Sequence, residues 1–449
     1  MNGMKTKVLA GMIIGLLLLA SPALASGSAN ASDLADTSDS ENASDPGNTS
    51  DSMAVSGSAS SPDIMLSILG NANEDGTIDM KDVEYTESII LGSGNPTRFA
   101  DATGDNSIDM LDVTKTELIS LGKAKELTLV DGVGRQVNVA LPVKNIIPTD
   151  YRTTETLLAL GTGDMIVGVD RAFHERMDEF GLLDLPEVAV HGKSVDYEMV
   201  LTLKPDIVLL PLSQAENAED IAKNLPNTAV VSMGLSSQKT IDSDLTTMGF
   251  VLGKEKEANE LISWMQRYED LVSEQTRDLK SDDMPTFYYE YMSGGDENWW
   301  VITPEDPSAG KVAEGAGGHN IAAGLAGTSV EVDPEWIIVK NPDFMFADLM
   351  KGFDSGPGKT EEDMENLLAK VLSGRPGFER VNAVKNNNVY LVDRDVIGGP
   401  RWVIGRIYFA KCMHPELFED INPEEIHKEY LKKFHNLEVS GTWVYPLPE

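Results

Sequence analysis

One stretch constrains the fold of this chain more than any other, because it is written twice. V-D-Y-E-M-V-L-T-L-K-P-D-I-V, residues Val195–Val208, returns 137 residues later as V-D-P-E-W-I-I-V-K-N-P-D-F-M, residues Val332–Met345. Asp196 and Asp333 stand where a helix N-cap belongs, with carboxylates able to accept from the orphan backbone N–H groups. Pro334 follows at the first helical position, where its missing N–H costs nothing. Pro205 and Pro342 end each helix, and the apolar runs Ile207–Leu210 and Phe344–Phe346 have the length of buried parallel strands. A helix-to-strand unit repeated at this distance predicts two α/β lobes of similar design.

The surrounding residues extend both lobes. Leu127–Val130 and Val137–Val139 read as a hairpin around Asp131-Gly132. After it, strands at Asn145–Ile147, Ile166–Val169, Val188–Val190, Ile207–Leu210 and Ala229–Ser232 alternate with helices, the rhythm of a mostly parallel sheet covered on both faces. This is lobe one, residues 127–240. Residues 241–281 hold only Gly249 and Gly253 as breakers and place apolar side chains at helical spacing. They predict one helix of about 55 Å, or two helices broken near Gly253. Lobe two, residues 282–449, opens with strand Thr286–Tyr291. It continues through the Gly315–Gly318 turn, the repeat unit, strand Val389–Val392 and helix Pro400–Met413. The predicted fold class is thus α/β, two doubly wound lobes joined by a long helix.

The first 123 residues are of another kind. Lys5 and Lys7 precede the apolar run Val8–Ala20, and Ala23-Leu24-Ala25 supplies a small-residue cleavage site, so residues 1–25 read as a signal peptide. Residues 26–62 are rich in Ser, Asn, Ala and Asp, too polar to offset their ordering entropy, and read as a disordered stalk. Asn30, Asn42 and Asn48 head glycosylation sequons in it. These features imply a secreted, extracytoplasmic protein. The net charge of −37 argues against nucleic-acid binding, and the single cysteine, Cys412, excludes a disulfide framework and a Cys-ligated zinc site.

Two loops related by 30 residues come next. Asn71, Asn73, Asp75, Thr77, Asp79 and Asp82 occupy positions 1, 3, 5, 7, 9 and 12 of the first. Asp101, Thr103, Asp105, Ser107, Asp109 and Asp112 occupy the same positions of the second. Oxygen donors at this spacing are what a hard Ca²⁺ ion requires, with a backbone carbonyl serving at position 7. Each loop runs into a helix, Val83–Leu91 and Val113–Leu121. Two calcium loops, each followed but not preceded by a helix, resemble a dockerin module over residues 63–123. The resemblance implies a small all-α calcium-loop module and a cohesin-like partner. Asn71 at position 1 and Asn106 at position 6 depart from the dockerin pattern.

Residues from Leu127 to about Tyr445 carry a second resemblance. The fragments L-K-P-D-I-V (Leu203–Val208), A-G-G-H-N-I (Ala316–Ile321), P-G-F (Pro376–Phe378), A-V-K (Ala383–Lys385) and G-P-R (Gly399–Arg401) occur in order. They are similar to the helical-backbone class of substrate-binding proteins that serve ABC importers for iron–siderophore, haem and corrinoid complexes. The resemblance implies a metal chelate as ligand and importer membrane subunits as partners. It also implies that Glu198 and Glu335, one on each lobe, dock to those subunits, and that Tyr151 and Arg401 match cleft residues. A carboxylate in a first helical turn also complements the helix dipole, which is the other reading of both glutamates.

Open α/β sheets bind ligands beyond the carboxyl ends of their strands. That rule nominates Tyr151, Arg152, Arg171, Lys193, Ser213 and Gln214 on lobe one, and Trp299, Trp300, Arg401 and Trp402 on lobe two. Aromatic rings offer flat apolar contact and arginines pair with anionic groups. No G-x-S-x-G, Walker A or H-E-x-x-H motif occurs, so no enzyme is expected. The expected function is delivery of a metal chelate to an importer. The alternative is a cell-surface scaffold or adhesion protein acting through its dockerin-like module.

Overall fold

The computed structural model of the protein describes residues 64–190, 194–292, 299–306, 308–350 and 355–448. The signal peptide, the stalk and its sequons, and Lys193 lie outside the described residues.

Lobe one is built on three parallel strands in the order Ile146–Pro148, Ile207–Pro211, Ala229–Met233. A second small sheet joins Val169–Asp170, Glu187–Val190 and Ser194–Val195. The hairpin falls where the sequence places it, Glu126–Val130 against Gln136–Ala140.

Lobe two carries a seven-stranded mixed sheet. Its centre is parallel: Thr286–Met292, Phe344–Leu349 and Val389–Asp393 are neighbours in register. Trp300–Ile302, Ser329–Glu331 and Val444–Tyr445 add antiparallel edges, which the parallel centre of a doubly wound lobe can carry. The cause is local: the connection from Met292 to Trp300 is too short for the crossover a parallel neighbour needs.

The repeat folds as one unit used twice. Helices Tyr197–Leu203 and Pro334–Lys340 both end on a left-handed residue, Lys204 at φ 51°, ψ 58° and Asn341 at φ 50°, ψ 58°. Each then feeds a central parallel strand. The aspartate of each P-D pair does the same work. Asp206 Oδ2 accepts from the N–H groups of Lys144 and Asn145, and Asp343 Oδ2 from the N–H and hydroxyl of Thr286. Each carboxylate thus pins the start of the neighbouring parallel strand. The copies differ at the cap: the Asp196 side chain accepts from Met199 N–H, whereas the Asp333 side chain caps nothing.

Between the sheets run two helices, Ile241–Leu252 and Glu255–Thr276, separated at Gly253, whose φ of +63° suits a glycine C-cap. Gly249 lets Ala258 approach, since a Cβ there would lie 2.7 Å from the alanine methyl. The longer helix packs through Trp264 and Tyr268 onto helix Pro423–His435. Trp264 Nε1–H and the Tyr268 hydroxyl each donate to Glu429 at 2.8 Å.

Both acidic loops lead into helices, Met80–Ile90 and Met110–Ser120, closed at their starts by matching capping boxes. Asp79 with Asp82, and Asp109 with Asp112, exchange bonds between side chain and backbone.

Candidate functional site

The carboxyl ends of the strands in the two lobes meet around a cluster of arginines, tyrosines and aspartates. From lobe one come Tyr151 and Arg152, which start the helix after strand Ile146–Pro148, and Arg176, which ends helix Arg171–Arg176. From lobe two come Tyr291, Asp348, Asp393, Arg394 and Asp395, at or just past the ends of the three central strands. Arg176 crosses between lobes, its Nε donating to Asp395 Oδ1 at 3.0 Å and its Nη2 lying 3.8 Å from Asp393 Oδ1. Arg152 crosses too, donating through Nη2 to the Arg394 carbonyl at 3.1 Å. Arg394 pairs with Asp348 at 2.9 Å.

The guanidinium groups of Arg152 and Arg176 lie 5.0 and 5.7 Å from the centre of the Tyr151 ring, and Arg394 lies 4.6 Å from that of Tyr291. These are cation–π distances. Burial pushes both phenols up to about 12, so each ring is neutral and its hydroxyl remains a donor. Burial also raises Asp348, against the pull of Arg394. Asp393 and Asp395 part company. Burial and the charge of Asp395 push Asp393 up to about 6, while burial at Asp395 is more than offset by Arg176, Arg401 and Arg152, which hold it down. Within this cluster Asp348 Oδ1 and Arg152 Nε are buried with no hydrogen-bond partner among the described residues. Gly398 makes room for the latter, since a Cβ would fall 2.2 Å from it.

Arg401 reaches this cluster only through its charge on Asp395, which corrects its assignment to the cleft wall. Its side chain is 1% exposed and makes a two-pronged pair with the buried Glu155, Nε to Oε1 at 2.7 Å and Nη2 to Oε2 at 3.1 Å. The Tyr430 hydroxyl donates to the same carboxylate at 2.9 Å. Glu155 of helix Tyr151–Ala159 in lobe one therefore holds two parts of lobe two, Arg401 ahead of helix Trp402–Met413 and Tyr430 of the last helix. Trp402 is core as well, buried with the Arg406 guanidinium 4.7 Å from its ring centre. A helix start that faces inward put both residues out of solvent.

Arg171 is a surface residue, paired with Glu187 at 2.8 Å. It opens its helix on the outer side, and Arg176, one and a half turns on, takes the inner one. Trp299 stacks on Phe378 at 5.1 Å under Arg375, filling a satellite core of lobe two rather than the cleft. Trp300 stands opposite Tyr291 across an antiparallel pair, so it shares that residue's face. Ser213 is exposed after strand Ile207–Pro211, and Gln214 accepts from Asn217. Of the ten nominated residues, Tyr151 and Arg152 reach the cluster and Trp300 flanks it. Arg394 was open to the same strand-end rule, since it follows strand Val389–Asp393 directly; Arg176, carried in by a helix, was not.

Glu198 and Glu335 are both exposed, each the second residue of its repeat helix. In the loops, Asp82 and Asp112 are fully buried. Their oxygens accept from the N–H groups at positions 3 and 9: Asn73 and Asp79 in one loop, Thr103 and Asp109 in the other. Asp75, Asp79, Asp101, Asp105 and Asp109 likewise hold backbone N–H groups. Among the described residues no three His, Cys, Asp or Glu side chains are grouped to hold a metal ion. The Asn71 amide donates to the carbonyls of Leu66 and Asp75, while its own Oδ1 is buried with no donor. Among the described residues no helix is long and apolar enough to cross a membrane.

Residues 146–396, the parallel centres of both lobes and the helices between them, match the periplasmic binding protein family. The uncharacterized ABC transporter substrate-binding lipoprotein YvrC of Bacillus subtilis is 24% identical over 299 residues, 66% of this chain and 87% of its own. The molybdate-binding protein MolA of Haemophilus influenzae is 20% identical over 338 residues, 68% of this chain and 90% of its own. Among solved structures, the TroA-like periplasmic binding protein FepB of Veillonella parvula has the same fold. Its TM-score is 0.63 at 24% identity, covering 72% of this chain and 99% of that one. The chain belongs to the periplasmic binding protein family. It is a solute-binding protein and not an enzyme.

Proposed function

We propose that the chain is the extracytoplasmic substrate-binding component of an ABC importer, and that its solute is an anionic metal chelate such as an iron–siderophore, haem or corrinoid complex. The observation that carries this reading is the meeting of Arg152, Arg176 and Arg394 with Tyr151 and Tyr291 between the strand ends of the two lobes. Arginine recognises carboxylate and catecholate oxygens through paired N–H donors, and neutral phenols add donors of their own. Among the relatives, one is named for binding petrobactin and one for binding molybdate. Glu198 and Glu335, exposed at equivalent places on the two lobes, are the proposed contacts to the importer's membrane subunits.

The loop module supports a second proposal, Ca²⁺ in both loops and a cohesin-like partner. The unpartnered Asn71 Oδ1 is an oxygen donor of the right type for calcium. Met80, Leu91, Met110, Leu111 and Leu121 are exposed on the helices that follow, apolar surface suited to a partner.

Titration of the purified chain with ferric siderophores, haem, cobalamin and molybdate, each repeated on Arg176→Gln, tests the first reading. Micromolar or tighter binding by one of them, weakened about 5- to 150-fold by the substitution, is expected from the loss of a charge-assisted bond. Binding that ignores the substitution removes the cluster from the site. Binding of molybdate alone replaces the chelate with a small oxyanion.

A further inference from the structure

The first-lobe hairpin Glu126–Val130/Gln136–Ala140 is not bare at its edge. Leu69 N–H donates to the Thr128 carbonyl and Val130 N–H to the Ser67 carbonyl, both at 2.9 Å, and Ile68 bridges Leu129 antiparallel. Ser67 N–H reaches further, to the hydroxyl of Thr247 at 3.1 Å on the first interlobe helix. Leu66, Ile68, Ile78 and Ile119 of the loop module are buried in the same apolar cluster as Leu127 and Leu129. Phe99 closes the seam from the other side against Val130.

Loop one grips the strand that makes this seam. The Asn71 amide and Leu66 N–H both donate to the Asp75 carbonyl, and the Asn71 amide also donates to the Leu66 carbonyl. The shape of the loop therefore fixes where Leu66 enters the cluster.

We propose that residues 64–123 are an integral layer of the ligand-binding lobe rather than a module carried beside it. The order of the two loops then sets the stability of the lobe and the position of the first interlobe helix. A calcium ion in the loops, on the reading above, would act on the cleft through this seam.

The test uses the full secreted chain. All six tryptophans, Trp264, Trp299, Trp300, Trp336, Trp402 and Trp443, lie outside residues 64–123, so their emission reports on the lobes alone. Asp112→Ala removes the acceptor of two loop N–H groups, and Val83→Ala opens a small cavity inside the module. Each is expected to lower the tryptophan-detected melting midpoint by about 2–6 °C, in step with far-UV circular dichroism. A tryptophan midpoint that stays put while circular dichroism shows a separate early step overturns the proposal. So does a pair of variants that move neither signal. Calcium added after chelation is the further arm: a rise in the tryptophan midpoint supports metal acting through the seam. A rise in circular dichroism alone counts against the seam. No rise in either signal counts against calcium in the loops, and the two variants then decide the seam by themselves.

Discussion

Arg401→Ala separates the structure from the sequence pattern. In the pattern Arg401 is a cleft arginine, whose loss weakens ligand and spares the fold. In the structure it is a buried tie between lobes, and its loss leaves the Glu155 carboxylate in the interior with Tyr430 as the one remaining donor. Removing one partner of a buried pair costs about 3–5 kcal/mol. Protonation offers partial relief, because burial already pushes Glu155 above its ordinary range against the pull of Arg401. At about 2–4 °C per kcal/mol for a large domain, the melting midpoint should drop by roughly 6–20 °C. Differential scanning calorimetry at neutral pH reads this directly. The double substitution Arg401→Met with Glu155→Leu should recover most of the loss, since a buried pair exchanged for apolar side chains of similar volume is often neutral or better. An Arg401→Ala protein with an unchanged midpoint and a large loss of affinity would refute the argument and return Arg401 to the cleft.

Two further outcomes are expected. Reversing Glu198 and Glu335 together to Lys should leave ligand affinity intact and abolish ligand-stimulated ATP hydrolysis by the reconstituted importer. Normal hydrolysis would reduce both residues to helix-start carboxylates. Glu179 is pushed up to about 7 by burial, with Arg401 opposing, so the folded chain binds a proton there more tightly than the unfolded chain, near 4.5. Its contribution therefore favours folding as pH falls from about 7 toward 4.5 and is lost as pH rises through 7. Glu179→Gln should raise the midpoint at pH 8 and flatten the profile between 5 and 7; an unchanged profile would show that the carboxyl is solvated.

The two-lobed plan was legible because it rests on period and punctuation. Aspartate, helix, proline and apolar strand recur in one order, and each of those signals acts within a few residues of itself. The break at Gly253 was legible only as one of two alternatives, the other being a single long helix. The cleft was only partly so. A strand-end rule locates a residue along the chain but not around the helix it starts, and that rotation decided Tyr151 and Arg152 for the cleft and Arg401 and Trp402 for the core. Arg176 depends on how helix Arg171–Arg176 lies against lobe two, a contact between segments more than 200 residues apart. Trp299 was misplaced because an aromatic beside a strand end fits a stacked core as well as a ligand face, and Phe378, its partner, is remote in sequence.

The arginines between the strand ends sit inside a chain whose net charge is −37. For the anionic solute proposed above, attraction to arginines already shared with Asp348, Asp393 and Asp395 is thus confined to the last few ångströms, while at longer range the surface repels it. At physiological ionic strength the screening length is about 8 Å, so the outer repulsion and the inner pairing are felt on different scales. Added salt weakens the first before the second. Capture should accordingly run faster as ionic strength rises from low values, the reverse of an electrostatically steered encounter. A binding protein of this make-up is kinetically suited to saline surroundings, where its own acidity no longer stands between the solute and the arginines.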